Sequence, residues 1–491
     1  MKCNREDLQH DAENEIEEIV KAALGAILLK ELARAEDFNQ LEEFGVKKTL
    51  ELLCKTLAQV LEDYDEVIFA EHDSRFESKG LEPRSILTTA GWVTYRRRRY
   101  KVEATSILLL DELIDLPPKI KISPVLSRLA SDCGIDTSYQ RGANFLEHYI
   151  GADISKMSVG RAIEKNAELL EEVESTERNP KIKTPVLDVE ADGCFVPLQR
   201  TRAQKQADKE RGKKRKRAYK EVRLFSAYSG KEQTKSGVKR RLNTLHFATT
   251  KPSDDAWEKF RQNINAVFCT EDIFYSNLAC DGEGSYIKGT KHLPGKVSCG
   301  YDLHHIPTKL AGTFGRDIAR EVYATMKSLG FSEGYEILFT YADHFFEQTG
   351  DEKYRDIIAF FDKHKNDMQT AFTYNLGTIE GTIAHIIGSR CKRFGGGWGR
   401  RLDAVSRLRA GQASGIKPAL AHRKSAVDLP RTVKQRELAE IENYIAALEQ
   451  KARKNRPRFQ NKDLLPEYYH QTPIAHRSKS ERCHSLLRQW A

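Results

Sequence analysis

The chain lacks long apolar segments, a secretion signal and paired cysteines. Its longest apolar runs, such as residues 22–29, fall far short of the roughly 20 residues that a membrane-spanning helix needs. Residues 5–18 are strongly acidic, unlike the basic start of a signal peptide. The nine cysteines form no C-x-x-C pair and no Cys/His cluster of zinc-binding spacing. We therefore expect a protein without membrane contacts, with reduced thiols, located in the cytoplasm and associated with the nucleoid.

Length and composition indicate a multidomain globular protein. The chain has 491 residues, of which 40% are hydrophobic and 31% are charged, so it is too long for one core and too apolar for disorder. Changes of pattern along the sequence predict six regions. These are an N-terminal helical region (1–84), a β-hairpin with a helix-turn-helix-like DNA-binding domain (85–176), a first catalytic part (177–307), a helical insertion domain (308–375), a second catalytic part (376–415) and a basic C-terminal helix and tail (416–491).

Positive charge is concentrated in two segments of a chain whose net charge is +9. Residues 200–220 contain 11 Lys/Arg against 2 Asp/Glu, and residues 421–491 contain 15 against 8. Neutralising phosphates releases counterions, so both segments are suited to lie along a nucleic-acid backbone. We predict DNA contacts from Lys213, Lys214 and Arg215, and a solvated loop is the alternative for this run.

Two elements of the N-terminal half are candidates for reading DNA. Residues 86–104 alternate around a Gly as a β-hairpin does, and its arginines would lie on both faces. We expect Arg96, Arg97 and Arg98 to contact a polyanion there.

The second candidate lies between residues 123 and 173. Ser-Pro at the start of this stretch and a serine at position 155 are helix-start patterns, which together predict three short helices. The arrangement is typical of a helix-turn-helix whose entering helix carries Lys156, Ser158 and Arg161. A purely structural three-helix bundle is the alternative.

From residue 185 the pattern changes to one typical of β-strands. Strand-like segments at 186–198, 220–230 and 239–250 are followed by a helical and then a further strand-like segment. This order predicts a ribonuclease-H-like catalytic core, in an α+β or α/β multidomain chain whose N-terminal regions are helical and helix-turn-helix-like. The segment around His304 and His305 is expected to continue the sheet. Residues 308–375 have a helical pattern and predict a large all-helical insertion, because an unstructured loop of that length is improbable.

Three acidic residues lie at the ends of predicted elements. Asp192 in LDVEADGCFVPL and Asp281 in YSNLACDGEGSYIK follow strand-like runs, and Glu380 precedes isoleucines at helical spacing. Two carboxylates on neighbouring strands and one on a facing helix can hold two divalent cations about 4 Å apart for phosphodiester chemistry. Asp188 and Glu190 would share a strand face with Asp192, so the residues alone leave the first ligand open.

Six segments that include these acids occur in a recognisable order. They are ILTTAGWVTYRRRRY (86–100), the stretch 108–143, VEADG (189–193), CDGEGSYIK (280–288), YDLHHIPTKL (301–310) and IEGTIAHIIGSRCKRFGGGWG (379–399). Together they resemble the ISLre-type family of bacterial insertion-sequence transposases, a DDE group. The resemblance implies a catalytic and metal-binding triad of Asp192, Asp281 and Glu380. It also implies two Mg²⁺ ions, which Mn²⁺ can replace, and double-stranded DNA as partner, comprising terminal inverted repeats and target DNA. Work on two DNA ends calls for a homo-oligomer, at least a dimer.

The chain departs from the family pattern at three places. Gly193 stands where the family carries another acid, and a Gly run at 395–397 replaces a Pro-containing turn. A long basic insert also follows the first catalytic strand. None of these departures removes a carboxylate of the triad.

Four further residues are candidates for supporting roles. Asp302 and His305 follow the second catalytic Asp, and His305 could contact the scissile phosphate or protonate a leaving oxygen, or be a core histidine. Arg390 suits phosphate binding because a guanidinium matches phosphate oxygens in pairs. Trp398 could stack on a base, although we favour a buried anchor.

These observations favour a DDE transposase of an insertion sequence. A catalytically inactive or domesticated DNA-binding regulator derived from such an enzyme is the alternative, and a host nuclease of the same fold is a third interpretation. The intact triad disfavours the regulator. The predicted DNA-reading region and the large insertion disfavour the host nuclease.

Overall fold

The computed structural model describes residues 21, 24–32, 34–72, 75–102, 105–199, 201–210, 218–234, 239–374, 376–392 and 398–421. The first of its two compact units ends at Lys121 in the described sequence, and the second comprises Ile122–Ala421. This boundary divides the predicted 85–176 region between its hairpin and its helices. Lys213, Lys214, Arg215 and the predicted C-terminal helix lie outside the described residues. No helix in the described ranges is both long and apolar enough to cross a membrane.

The first unit combines a long helix with an antiparallel sheet. The helix begins after Asp37, whose side chain accepts a hydrogen bond from the amide of Gln40. The hairpin is present as predicted, although its first strand begins at Glu77 rather than near residue 86. The elements are α1 (Phe38–Glu71), β1 (Glu77–Thr88), β2 (Gly91–Val102), β3 (Thr105–Ile107) and α2 (Leu109–Leu113).

Three helices open the second unit, as the helix-start patterns predicted. They are α3 (Pro124–Asp136), α4 (Tyr139–Ile150) and α5 (Lys156–Glu174). In each case the preceding serine, Ser123, Ser138 or Ser155, accepts a hydrogen bond from an amide of the first turn. This capping satisfies amide groups that have no partner within the helix.

A five-stranded mixed sheet forms the centre of the second unit. Its strands are β4 (Val186–Pro197), β5 (Tyr219–Tyr228), β8 (Leu245–Thr249), β9 (Tyr275–Cys280) and β10 (Lys296–Tyr301), in the spatial order β10-β9-β4-β5-β8. β4, β5 and β8 are antiparallel neighbours, whereas β9 and β10 run parallel to β4. The connections contain α6 (Arg202–Glu210), the small hairpin β6 (Lys231–Gln233) and β7 (Lys239–Arg241), α7 (Ser253–Val267) and α8 (Gly284–Ile287).

The two faces of this sheet have different coverings. On one face, Phe225 of β5 packs against Trp257 and Phe260 of α7, with ring centroids 4.7 and 5.2 Å away. On the other face lie the helical segment that carries Glu380 and the last described helix. The elements there are α14 (Ile379–Ile383), a π-helical turn (Ala384–Gly388), α15 (Ser389–Cys391) and α16 (Leu402–Ala413). The isoleucines at 379, 383, 386 and 387 are all buried, as their spacing predicted.

Residues 305–374 are helical, which confirms the predicted helical character of the insertion. The helices are α9 (His305–Phe314), α10 (Arg316–Ser328), α11 (Phe331–Thr349), α12 (Lys353–Lys363) and α13 (Lys365–Tyr374), and they share a core that includes Leu310, Val322, Leu338 and Phe361. The expectation of a strand at His304 and His305 is wrong. The sheet ends at Tyr301, and the carboxylate of Asp302 accepts the amide of His304 at 2.9 Å, which starts a helix instead.

Candidate metal centre

Three neighbouring parallel strands bring three aspartates into line. Glu190 of β4 pairs with Ala279 of β9, and Cys280 pairs with Tyr301 of β10. Continuing both registers by one or two residues aligns Asp192, Asp281 and Asp302 across the sheet. The three aspartates therefore lie side by side just beyond the ends of β9 and β10, while β4 continues past Asp192 to Pro197.

Asp192, Asp302 and His305 form a compact group, which we call the candidate metal centre. One ligand atom from each lies within 4.8 Å of the others. Nε2 of His305 is 3.5 Å from an oxygen of Asp302 and 3.8 Å from one of Asp192. Asp302 is fully buried and Asp192 is 6% exposed. Among the described residues, it is the group of three His, Cys, Asp or Glu side chains whose ligand atoms lie close enough together to hold one metal ion.

The polar atoms of this centre fit a divalent cation. Oδ2 of Asp302 and Nε2 of His305 are buried, and neither has a hydrogen-bond partner in the described structure. Leaving a buried polar atom unsatisfied costs about 1–3 kcal/mol, and more when the group is charged. Carboxylate oxygens suit Mg²⁺ and Mn²⁺, while an imidazole nitrogen shifts the preference towards transition metals. A cation bound here would satisfy both atoms.

The charges of the centre act on one another. The adjacent Asp192 carboxylate raises the pKa of His305, and Asp302 adds to this while burial opposes it. Burial also raises the pKa of Asp302. A protonated imidazole thus balances part of the negative charge when no cation is present. Because metal ligands must be deprotonated, a cation would compete with that proton.

Asp281 and Glu380, the other two members of the predicted triad, lie outside this compact group. Asp281 is partly buried, and its carboxylate accepts the amide of Glu283 at 2.9 Å, as in an Asx-type turn. Its negative charge nevertheless contributes to the raised pKa of His305. Glu380 is partly buried on α14, and its charge acts on Cys194 together with that of Asp192. Asp281 therefore belongs to the electrostatic surroundings of the centre, and Glu380 shares with Asp192 the neighbour Cys194.

Glu190 fixes the beginning of the Glu380 helix on the sheet. Its side chain is fully buried and accepts hydrogen bonds from Tyr228 at 2.6 Å, Arg241 at 3.0 Å and the amide of Thr378 at 3.0 Å. Asp188 accepts the side-chain amide of Asn277 at 2.9 Å. Of the three acids on this face of β4, Asp192 is the one in the compact group.

No acid could replace Gly193 without displacing its neighbours. A Cβ at this position would lie 2.4 Å from the Tyr286 hydroxyl and 2.5 Å from a carboxylate oxygen of Glu221. Tyr286 donates a hydrogen bond of 2.7 Å to Glu221, so these two side chains fill the space. The space at position 193 therefore admits glycine and no larger residue unless these side chains move.

Two of the three hairpin arginines point into the first unit. Arg97 is 7% exposed and lies 3.0 Å from the buried Asp111, and Arg98 binds Asp65 at 2.8 Å. Their predicted contacts with DNA do not fit this arrangement, because their guanidinium groups neutralise buried or half-buried acids. Arg96 is exposed.

The predicted DNA-reading residues of α5 divide in the same way. Lys156 and Arg161 are exposed to solvent. Ser158 belongs to the helix start, since its amide donates to Ser155 at 3.1 Å. The DNA contacts of Lys156 and Arg161 remain a prediction.

Arg390 and Trp398 contact each other rather than the candidate metal centre. The guanidinium carbon lies 4.7 Å from the centre of the Trp398 ring. The indole donates to the carbonyl of Cys391 at 3.0 Å, and the Trp398 amide donates to Pro197 at 2.9 Å. These contacts are those of a structural anchor that connects the end of β4 to the Glu380 helix.

Comparison with known proteins places the chain in a family. No curated protein matches it. Residues 33–317 match an uncharacterised protein family, UPF0236, and this stretch includes Asp192, Asp281, Asp302 and His305 but ends before Glu380. Because the match extends over more than half of the sequence, the chain belongs to the uncharacterised protein family UPF0236.

Proposed function

We propose that this protein is a DDE-type transposase of an insertion sequence, similar to the ISLre type, which cleaves and transfers DNA strands with divalent cations. The observation that carries this proposal is the candidate metal centre. Oδ2 of Asp302 and Nε2 of His305 are buried without a hydrogen bond, 3.5 Å apart, just beyond the end of β10, whose register aligns Asp302 with Asp281. The imidazole of His305 offsets only part of the negative charge of Asp192 and Asp302, and a divalent cation would be the remaining partner that buried charges need.

The topology of the sheet supports a ribonuclease-H-like core. Numbered along the chain, its strands stand in the order 5-4-1-2-3, with the first three antiparallel and the last two parallel to the first. This is the order expected of that fold. The long helical segment between β10 and the Glu380 helix agrees with the insertion that the resemblance implies.

The residues of the centre would divide the work of the reaction. Asp192, Asp302 and His305 would hold one cation. Asp281 and Glu380, which with Asp192 make up the DDE triad, would supply the further ligands. Bound divalent cations supply an activated attacking oxygen and charge stabilisation for the leaving oxygen. As an alternative to binding the cation, His305 would keep its proton, which Asp192 favours, and donate it to a phosphate oxygen.

DNA is the proposed partner, and the exposed cations support this. Lys156 and Arg161 on α5 and Arg96 on the hairpin are open to solvent. The basic segment that contains α6 connects β4 with β5, so it starts from the strand that carries Asp192. We propose that the protein acts as at least a dimer on the two ends of its element.

A nicking assay tests the proposal. The substrate is a supercoiled plasmid that carries the DNA flanking both sides of the coding region, incubated with Mg²⁺, with Mn²⁺ or with EDTA. We expect cation-dependent nicking by the unaltered protein and its loss in Asp192→Asn, Asp281→Asn and Glu380→Gln. Asp188→Asn is the matched control on the same strand and should retain activity.

Three outcomes would count against this reading. Equal nicking in EDTA would refute the dependence on cations. Full activity of one of the three triad variants would remove that residue from the site. Specific binding of the flanking DNA without any cleavage would instead support the inactive regulator.

A further inference from the structure

A basic cavity of about 570 Å³ lies beside the start of the Glu380 helix. The β6–β7 hairpin and the helical residues after Glu380 form its walls. Its polar lining includes Lys231, Arg240, Arg241, His246, Thr382 and His385. A space of this size is within the range of sites that hold organic ligands, and a single small ion would not fill it.

Cations exceed acids around this basic cavity. The described residues that line it include no Asp or Glu. Glu190 lies behind the lining, 3.0 Å from Arg241 and 3.9 Å from Lys231. This single carboxylate therefore forms ion pairs with two cationic side chains. The half-buried Asp188 also acts on Lys231. Arg240 is exposed and makes no ion pair with a described residue, although Glu232, outside the lining, stands opposite it in the β6–β7 ladder.

The two histidines of the basic cavity add hydrogen-bonding groups. Burial lowers the pKa of His246 to about 4, so this ring is neutral near pH 7. Its Nδ1 lies 2.8 Å from the hydroxyl of Ser226. His385 is exposed on the π-helical turn. The lining is therefore suited to an anion that also accepts hydrogen bonds, as a phosphate group does.

The position of the basic cavity relates it to the candidate metal centre. Glu190, behind the cavity, and Asp192, in the centre, are two residues apart on one face of β4, which corresponds to roughly 7 Å along the strand. Each DNA strand carries one phosphate per roughly 3.4 Å of helix axis. A strand with a phosphate at the centre would thus bring neighbouring phosphates to the cavity.

We propose that the basic cavity binds the phosphodiester backbone of DNA next to the reacting phosphate, with Arg240 as the principal contact. This rests on the proposed function, since it takes DNA as the substrate of the adjacent centre. Contacts of this kind position a strand without reading its sequence. The cavity therefore holds DNA of any sequence in register with the centre.

Binding of a labelled DNA duplex of random sequence to the full-length protein tests this inference. The measurement is fluorescence anisotropy in EDTA over a range of salt concentrations, so that cleavage plays no part. Arg240→Gln should weaken binding roughly eightfold at 0.1 M salt and reduce the slope of log K against log salt by about 0.9, the contribution of one phosphate contact. Arg240→Lys should restore the slope. Arg320→Gln, an exposed arginine on α10 that is 3.8 Å from Asp317, is the matched control and should leave both quantities unchanged.

Unchanged affinity and slope in Arg240→Gln would overturn the inference. So would a defect that appears with thymidine monophosphate but not with duplex DNA, because the cavity would then serve a small nucleotide. The proposed function fails separately. If Arg240→Gln weakens DNA binding while the unaltered protein never cleaves DNA, the basic cavity is a DNA-binding site and the catalytic proposal is refuted.

Discussion

Asp302→Asn should remove most of the response of this protein to divalent cations. The variant keeps the size of the side chain and the oxygen that accepts the amide of His304 at 2.9 Å, so the helix start is preserved. It removes the negative charge whose second oxygen is buried without a hydrogen-bond partner. Folding should therefore survive, while one of the three groups that would hold the cation is weakened.

The expected size of the effect follows from binding linkage. A cation at 100 times its Kd stabilises the folded state by about 2.7 kcal/mol. A unit as large as residues 122–421 changes its melting temperature by roughly 2 °C per kcal/mol, which gives a rise of roughly 5 °C. If the substitution weakens binding about 100-fold, the same concentration yields about 0.4 kcal/mol and a rise of roughly 1 °C.

Thermal unfolding with Mn²⁺ and with EDTA measures this difference, and calorimetric titration gives the Kd directly. Asp188→Asn is the control, because Asp188 lies on the same strand face but binds Asn277 outside the candidate metal centre. A cation-induced rise that is equal in Asp302→Asn and in the unaltered protein would refute our reasoning.

Three further predictions concern steric room, buried charge and pH. Gly193→Asp should destabilise the fold by more than about 2 kcal/mol in urea unfolding, since its Cβ would lie 2.4 Å from the Tyr286 hydroxyl. An unchanged urea midpoint would show that the neighbouring side chains move to make room. Arg97→Ala should cost roughly 3–5 kcal/mol because it leaves the buried Asp111 without one of its partners, whereas Arg96→Ala should cost less than about 0.5 kcal/mol; equal losses in urea would contradict the inward placement of Arg97. Burial lowers the pKa of His246 to about 4, below its unfolded value near 6.5, so its contribution to stability is present above pH 6.5 and is lost as the pH falls towards 4. Between pH 7 and pH 4, the unfolding free energy of His246→Gln should therefore decrease by about 3 kcal/mol less than that of the unaltered protein.

The sequence predicted the strands and helices of the second unit better than it predicted which residues lie next to Asp192. Strand-like runs and serine caps are local patterns, and the strands and helices that they indicated are present. Asp302 and His305 are three residues apart, which places them on one side of a helical turn but on opposite faces of a strand. The resemblance assigns the catalytic positions to Asp192, Asp281 and Glu380, so Asp302 and His305 are expected to be auxiliary residues. The Asp-x-x-His spacing at a helix start is the pattern that could have indicated them as a ligand pair.

The hairpin shows a second limit of sequence patterns. Alternation correctly indicated that its arginines lie on both faces, but it does not say which face is covered. Arg97 is buried because Asp111 and Arg84 lie on the same side, and Asp111 comes from a later helix. Such pairings depend on tertiary contacts that no window of local sequence contains.

The two ends of the helical insertion meet beside the candidate metal centre. The segment leaves the sheet at Asp302 and returns at Gly377, where a Cβ would lie only 2.5 Å from an Asp302 oxygen and where φ is +109°. A side chain is thus excluded for two reasons, contact and backbone conformation. Since the exit and the return are adjacent, the helices between them can lengthen, shorten or be exchanged without changing the distance that the core must bridge. A change in the length of the insertion would therefore leave the arrangement of the acids in the core unchanged.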